Sequence, residues 1–338
     1  MNRNNIWYTE YEKLSHSERI FCMKFNHLAA MALSAGMLIT GCGKQDTSQN
    51  TEKPAESSAA APSGLNLVTL GDSISFGYGL ESPDTERYSA LLSNMLEQND
   101  NRKWNDYNYA VSGDDSSDLL KRLNNGKAIR LPSADVIVIC IGANNLLGVF
   151  TSYLEESAEE KGININTIDS MTDEELESLQ NEMTEKLKDT DSILKEIEPR
   201  IEEGMNRLKT DLDSAYDWIR ARNQTAEIYI LNVYNPYRGI SDSVIGTEAD
   251  LGEPFGDYTQ KHLDRCNGII REFAAAHSDL HLVDIEAAFA ATDPVPILGA
   301  DNQEGGSAEE MQYLDPHPNA EGQKLIAETL FRAMREGA

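Results

Sequence analysis

Basic residues are scarce in this sequence: 29 Lys and Arg stand against 57 Asp and Glu, a formal net charge of −28. A surface of that sign repels phosphate backbones and anionic lipid headgroups, which argues against a nucleic-acid partner and against electrostatic adhesion to a membrane. Its plain reading is a solvated surface that keeps the chain soluble. Cysteine is scarcer still. Four in 338 residues, widely scattered, cannot make a disulfide framework. Cys22 and Cys42 precede the globular part, whereas Cys140 lies in an apolar run and Cys266 on a predicted helix. Two buried thiols or one bridge between them both remain open. There is no C-x-x-C and no H-E-x-x-H pattern, so neither a metal site nor a cofactor is expected. Long apolar runs are missing too. The nearest is Leu28–Ile39, twelve residues rich in Leu, Ala and Met, too short to cross a bilayer but of the length of a signal-peptide core.

What is present is ordinary globular material, 40% hydrophobic and 25% charged, which excludes a mainly disordered chain. The first 63 residues stand apart from it. Lys24 supplies a modest positive charge ahead of the apolar run, and the run closes with Ile39-Thr40-Gly41-Cys42. That closing tetrad resembles the lipobox of bacterial lipoproteins: an apolar residue, two small ones, then the cysteine that receives the lipid. The resemblance implies a signal peptide over 1–41, lipidation at Cys42, and a protein held on the outer side of a bacterial membrane. Residues 43–63 contain no Ile, Leu, Val or aromatic side chain. They cannot bury enough apolar surface to order themselves and read as a flexible tether. Residues 1–22 carry Glu10, Glu12 and Glu18, unlike a signal-peptide start, and Met23-Lys24 begins one of the expected shape. Met23 is therefore the expected true start.

From residue 64 to 338, roughly 275 residues, apolar runs alternate with helical patterns in what reads as one domain. Strands are expected at Asn66–Leu70, Tyr107–Val111, Val136–Ile141, Ala226–Val233 and Leu280–Ile285. Helices are expected over 87–98, 116–124, 204–221, 258–276 and 319–335. The continuous apolar run VIVICI at 136–141 marks a strand buried on both faces, as parallel sheets require. The alternation predicts an α/β/α sandwich of three layers around a parallel sheet, with chemistry beyond the carboxyl ends of the strands. An acidic segment, about 151–203, interrupts the rhythm as a helical insertion. Thr172 and Glu175 are spaced as a capping box, and the run ends near Pro199. It reads equally as a surface insertion or as a partial lid.

Four short segments carry the chemistry, each at a strand end or near the C-terminus: Gly71-Asp72-Ser73, Val111-Ser112-Gly113, Gly142-Ala143-Asn144 and Asp315-Pro316-His317. In this order they resemble the sequence blocks of the SGNH/GDSL hydrolase family, across about residues 66–335. The resemblance implies a flavodoxin-like fold and a serine esterase with Ser73 as nucleophile and His317 as base. It also implies an oxyanion hole from the Ser73 and Gly113 backbone N–H groups and the Asn144 side chain. A serine hydroxyl needs a base within hydrogen-bond reach, and the tetrahedral oxyanion needs preorganised donors. Of the six histidines, His16 and His27 fall in the leader, while His262, His277 and His281 read as surface or capping residues. Only His317 sits in a Pro-bracketed loop before a terminal helix.

The chain departs from the family pattern in spacing at the insertion 151–203 and the loop 291–313, and in residue type at two points. The family's last block carries Asp three residues before His; Leu314 holds that position here, and Asp315 lies two before. Asp315 is the expected orienting carboxylate, with a Ser73–His317 dyad as the alternative. Asn145 stands where many relatives have Asp, and packing is its expected role. Asp72 is expected to order the nucleophile loop, and Asp114-Asp115 to cap the next helix. Leu146, Leu147, Val149 and Phe150, and the segment Asn232–Tyr237, read either as substrate walls or as core. The family resemblance leaves the substrate broad: lipases, lysophospholipases and acylesterases lead, carbohydrate O-acetyl esterases come next, and a non-catalytic glycan-binding lipoprotein is the remote third.

Overall fold

The computed structural model describes residues 64–159, 190–238, 255–298 and 315–336. The leader with Met23 and Cys42, the tether, the Thr172–Glu175 capping box and Leu314 lie outside the described residues. Five strands form one parallel sheet: β1 (Leu65–Gly71), β2 (Trp104–Asn108), β3 (Val136–Cys140), β4 (Glu227–Leu231) and β5 (Leu280–Val283). Their spatial order is β2-β1-β3-β4-β5, the flavodoxin-like order. The register runs Val68 to Ile137, Ile137 to Ile228 and Ile228 to Leu280. All five residues of β3 are buried, which is why its sequence has no polar alternation.

Helices cover the sheet in two groups. One comprises α1 (Ser73–Phe76), α2 (Pro83–Glu86) and α3 (Tyr88–Asp100), with α3 packed on the terminal helix of the chain. The other comprises α4 (Ser116–Asn124), α5 (Ala143–Glu159), α6 (Thr190–Arg220) and α7 (Phe255–Ala276), with α6 packed against the other three. The short α8 (Ile285–Ala290) joins the first group through the terminal helix α9 (Ala320–Glu336). No helix among the described residues is long and apolar enough to cross a membrane.

Several sequence expectations shift, and the fourth strand, expected over Ala226–Val233, is Glu227–Leu231. The second strand begins at Trp104 rather than Tyr107 and ends at Asn108. It is an edge strand with only Trp104 buried, so Asn105 and Asp106 read as loop. The expected apolar half still follows β1, because Tyr109 and Val111 donate to the Thr69 and Gly71 carbonyls at 2.8 and 3.0 Å. The fifth strand stops at Val283 because Asp284 accepts the Ala287 N–H at 3.0 Å and starts α8. The helix expected over 204–221 begins at Thr190 and continues through Pro199. Proline removes one helical hydrogen bond. Here it stands on the exposed face, while Ile197, Ile201, Met205, Leu208, Leu212, Ala215 and Ile219 form a buried stripe that holds both sides of it.

Cys140 and Cys266 are both free and both buried, so the alternative of a bridge falls. Cys266 donates to the Gly142 carbonyl at 3.7 Å, and burial pushes its thiol up to about 12. His262 is a further correction. On α7 it is 2% exposed and lies 3.4 Å from Glu198 of α6, not on the surface. His277 stacks on Tyr216 and His281 on Tyr229, at the end of α7 and the start of β5.

Candidate active site

In this strand order the chain leaves β1 toward β2 on one side and returns to β3 on the other. The carboxyl ends of β1 and β3 therefore border the crevice where such sheets bind ligands. Ser73 follows β1 directly and Asn144 follows β3. The two strands approach closely there. A Cβ on Gly71 (φ +155°) would lie 2.3 Å from the Cys140 carbonyl oxygen, so only glycine lets the turn to Ser73 start at this point.

Asp72 caps that turn. Its Oδ1 accepts the Ile74 N–H at 3.0 Å, as expected of a residue that orders the loop. From the other side, Gln323 of α9 donates to the Ile74 carbonyl at 3.0 Å and accepts the Tyr88 N–H at 2.9 Å. The turn is thus clamped between its own cap and the helix that follows His317.

The structure brings Ser73, His317 and Asp315 into one chain of contacts. Ser73 Oγ lies 2.8 Å from His317 Nε2, and His317 Nδ1 lies 2.5 Å from Asp315 Oδ1. The same Oδ1 accepts the His317 backbone N–H at 2.9 Å. Spacing of two residues instead of three therefore lets one carboxylate oxygen close an Asx turn and reach the ring together. Ser73 and His317 are 4% and 6% exposed, within reach of a substrate yet shielded from bulk water.

Asn144 is buried at the start of α5 and donates through Nδ2 to the Asp114 carbonyl at 3.0 Å. That bond fixes the amide plane and ties it to the turn holding Gly113, which takes φ 86°. Gly113 is exposed and, unlike Ser73 and Asn144, is not part of the cleft wall. Asn145 packs as expected, bonding Ser116 at 2.8 Å and the Gly204 carbonyl at 3.2 Å. Of the two aspartates before α4, only Asp115 caps it, accepting the Asp118 N–H at 3.0 Å; Asp114 pairs with Arg122.

Ser73, Asn144 and His317 open onto a cleft with about 530 Å³ of empty space. Its other walls are mostly apolar: Leu146 and Leu147 from α5, Val233, Tyr234, Pro236 and Tyr237 beyond β4, and Leu263 from α7. Both segments left open between wall and core thus contribute wall. Val149 is core, and the Phe150 side chain lies outside the description. Two contacts carried no sequence signal. The Tyr78 ring lies 4.5 Å from the His317 ring at 41°, and the Tyr234 hydroxyl donates to the Pro316 carbonyl at 2.5 Å. Aromatic residues are too common at strand and turn ends for either to stand out.

Asp72 has a second consequence. It is 1% exposed and its Oδ2 has no hydrogen-bond partner. Burial pushes its carboxyl up from 3.8 to about 7, against the pull of the Ile74 N–H and of His317. The native state therefore keeps this proton between about pH 4 and 7 while the unfolded chain releases it. Its contribution to stability is full below that window and is lost as pH rises through it. Asp72→Asn should remove this loss. Urea unfolding at pH 4.5 and 8 should show the variant gaining at least ~1 kcal/mol on wild type over that interval; identical pH dependence would refute the assignment.

A hydroxyl, an imidazole and a carboxylate in line, with an amide donor beside them at the carboxyl edge of a parallel sheet, define a serine hydrolase site. The chain belongs to the GDSL-like Lipase/Acylhydrolase family, whose model matches residues 69–325, and is an ester hydrolase of that family. A relative is the uncharacterized protein YpmR of Bacillus subtilis, 23% identical over 93% of this chain and 98% of that one. Among solved structures, an extracellular lipase of Streptomyces rimosus is 18% identical, with a TM-score of 0.49 over 81% of this chain and 100% of that one. Axe2, an acetylxylan esterase of Geobacillus stearothermophilus, is 14% identical, with a TM-score of 0.48 over 82% of this chain and 96% of that one.

Proposed function

We propose that the protein is a serine esterase that cleaves carboxylic esters with an apolar acyl chain through an acyl-Ser73 intermediate. The observation that carries this reading is the cleft itself. The Ser73–His317 pair opens onto walls made by Leu146, Leu147, Val233, Pro236 and Leu263, suited to bury an alkyl chain at about 0.8 kcal/mol per CH₂.

The steps follow from the contacts. His317 Nε2 takes the Ser73 proton as Oγ bonds to the ester carbon, and the carbonyl π pair moves onto oxygen. The Asn144 side chain and the Ser73 and Gly113 backbone N–H groups are assigned to that oxyanion. When it collapses, the carbon–alkoxy bond breaks and His317 returns the proton to the departing alcohol. Water then repeats the sequence on the acyl-serine and releases the acid. Asp315 holds the Nδ1 proton and balances the imidazolium in both halves.

The test is hydrolysis of p-nitrophenyl esters with two to sixteen acyl carbons by the full chain. The expected result is kcat/KM rising with chain length to an optimum of about eight carbons or more. Activity confined to acetate would favour a carbohydrate deacetylase instead. An inactive wild type that a fluorophosphonate fails to label would favour a binding protein.

We further propose that the chain is exported and anchored by a lipid on Cys42. The apolar run Leu28–Ile39 and the tetrad Ile39-Thr40-Gly41-Cys42 support this, as does a stretch 43–63 without Ile, Leu, Val or aromatic residues. Cells fed an alkyne fatty acid should label the chain and place it in the membrane fraction. Cys42→Ala should lose both; a labelled Cys42→Ala chain would reject the anchor.

A further inference from the structure

The peptide unit between Pro316 and His317 is gripped at both ends. Its N–H donates to Asp315 Oδ1 at 2.9 Å, and its carbonyl accepts the Tyr234 O–H at 2.5 Å. Tyr234 is well placed to act as a fixed point. It is 2% exposed and stacks on Phe289 with ring centroids 3.9 Å apart and 12° between planes. Its neighbour Val233 is locked to the fully buried Asn267 of α7, whose side chain accepts the Val233 N–H at 2.8 Å and donates to the Val233 carbonyl at 2.7 Å. The donor is therefore tied to the sheet and α7, while the acceptor belongs to the loop that carries the carboxylate and the imidazole.

We propose that Tyr234 is a positioning residue for ester hydrolysis: its hydroxyl sets the plane of the 316–317 peptide, whose N–H places the Asp315 carboxylate that in turn holds the His317 ring. This rests on the serine-esterase reading above. Polarising the Pro316 carbonyl also strengthens the N–H at the other end of the same peptide, because hydrogen bonds in a chain reinforce each other. Burial, aided by Cys140 and Asp315, holds the phenol well above its ordinary value, so it stays a donor across the working range. One side chain thus has two separable parts. The ring forms cleft wall and stack, and the hydroxyl governs the loop.

The separation makes a test. Tyr234→Phe in the full chain keeps the ring, the stack on Phe289 and the wall, and removes only the hydroxyl. With the best p-nitrophenyl ester, kcat should fall about tenfold while KM stays within about twofold. Phosphonylation of Ser73 by a fluorophosphonate should slow by the same factor. A residue that merely supported packing would move KM or the melt and leave the phosphonylation rate alone. In an Asp315→Ala background the further loss on Tyr234→Phe should shrink to within about twofold, since the carboxylate it orients is gone. All variants are read at a temperature where each is on the native baseline of its own melt. An unchanged kcat, or a loss that simply multiplies with that of Asp315→Ala, would overturn the proposal. A wild-type chain that the reagent does not label would instead overturn the serine reading beneath it.

Discussion

Replacing Ser73 by alanine should lower kcat by about a million-fold, and replacing His317 by alanine should cost nearly as much. The double variant should be no worse than either single one. Ser73 Oγ and His317 Nε2 are 2.8 Å apart, so neither works without the other: an unassisted hydroxyl is a weak nucleophile, and a base without its hydroxyl has no proton to take. Some catalysis over water, about a thousand-fold or more, should survive in all three variants because the backbone N–H groups, Asn144 and the cleft remain. The measurement is kcat on the preferred p-nitrophenyl ester, with fluorophosphonate labelling as an independent count of activated serine. Should His317→Ala stay within about tenfold of wild type, the base lies elsewhere. A double variant whose loss equals the product of the single losses would mean that the two side chains act separately.

Ser73 and His317 could be read from the sequence because each stands in a motif whose setting is local. Gly71-Asp72-Ser73 follows a strand with buried residues, and Pro316-His317-Pro318 precedes a helix with a clear apolar stripe. The parallel sheet was legible for the same reason, since a short, β-branched apolar run such as VIVICI fits a strand buried on both faces. Edges and long-range contacts were less legible. β2 shows one buried residue to the core and four half-covered ones, so its polar half gave no periodic signal. Pro199 looked like a helix end because local rules place it there; the apolar stripe from Ile197 to Ile219 overrides them. His262 is buried by α6, whose approach depends on residues about sixty positions away, and no local pattern records that.

The cleft wall illustrates the same limit. Leu146 and Leu147 follow Asn144 closely, and Tyr234 and Tyr237 follow β4. Composition alone cannot say whether such residues face a ligand or a neighbouring helix, because both environments are apolar. The packing of α5 and α7 around the cleft separates wall from core, leaving Val149 buried and Leu147 on the cleft.

Asp315 is the departure from family spacing with the sharpest consequence. Its Oδ1 accepts both the His317 backbone N–H at 2.9 Å and Nδ1 at 2.5 Å. In Asp315→Asn the backbone N–H selects the amide's carbonyl oxygen for that same position, because the amide nitrogen cannot accept it. The imidazole then keeps an acceptor at Nδ1 and retains the tautomer that leaves Nε2 free to take the Ser73 proton. Only the negative charge is lost. Asp315→Asn should therefore lower kcat by about a hundred-fold, well short of the ~10⁴-fold drop seen where such a substitution forces the wrong tautomer. Asp315→Ala removes charge, Asx turn and ring acceptor together, and its loss should reach about 10⁴-fold. KM should change little in either variant, since Asp315 does not line the cleft. The ordering is the test. If Asn and Ala were equally damaging, the shared oxygen would not be what holds His317; if both were within about tenfold of wild type, Ser73 and His317 would work as a dyad.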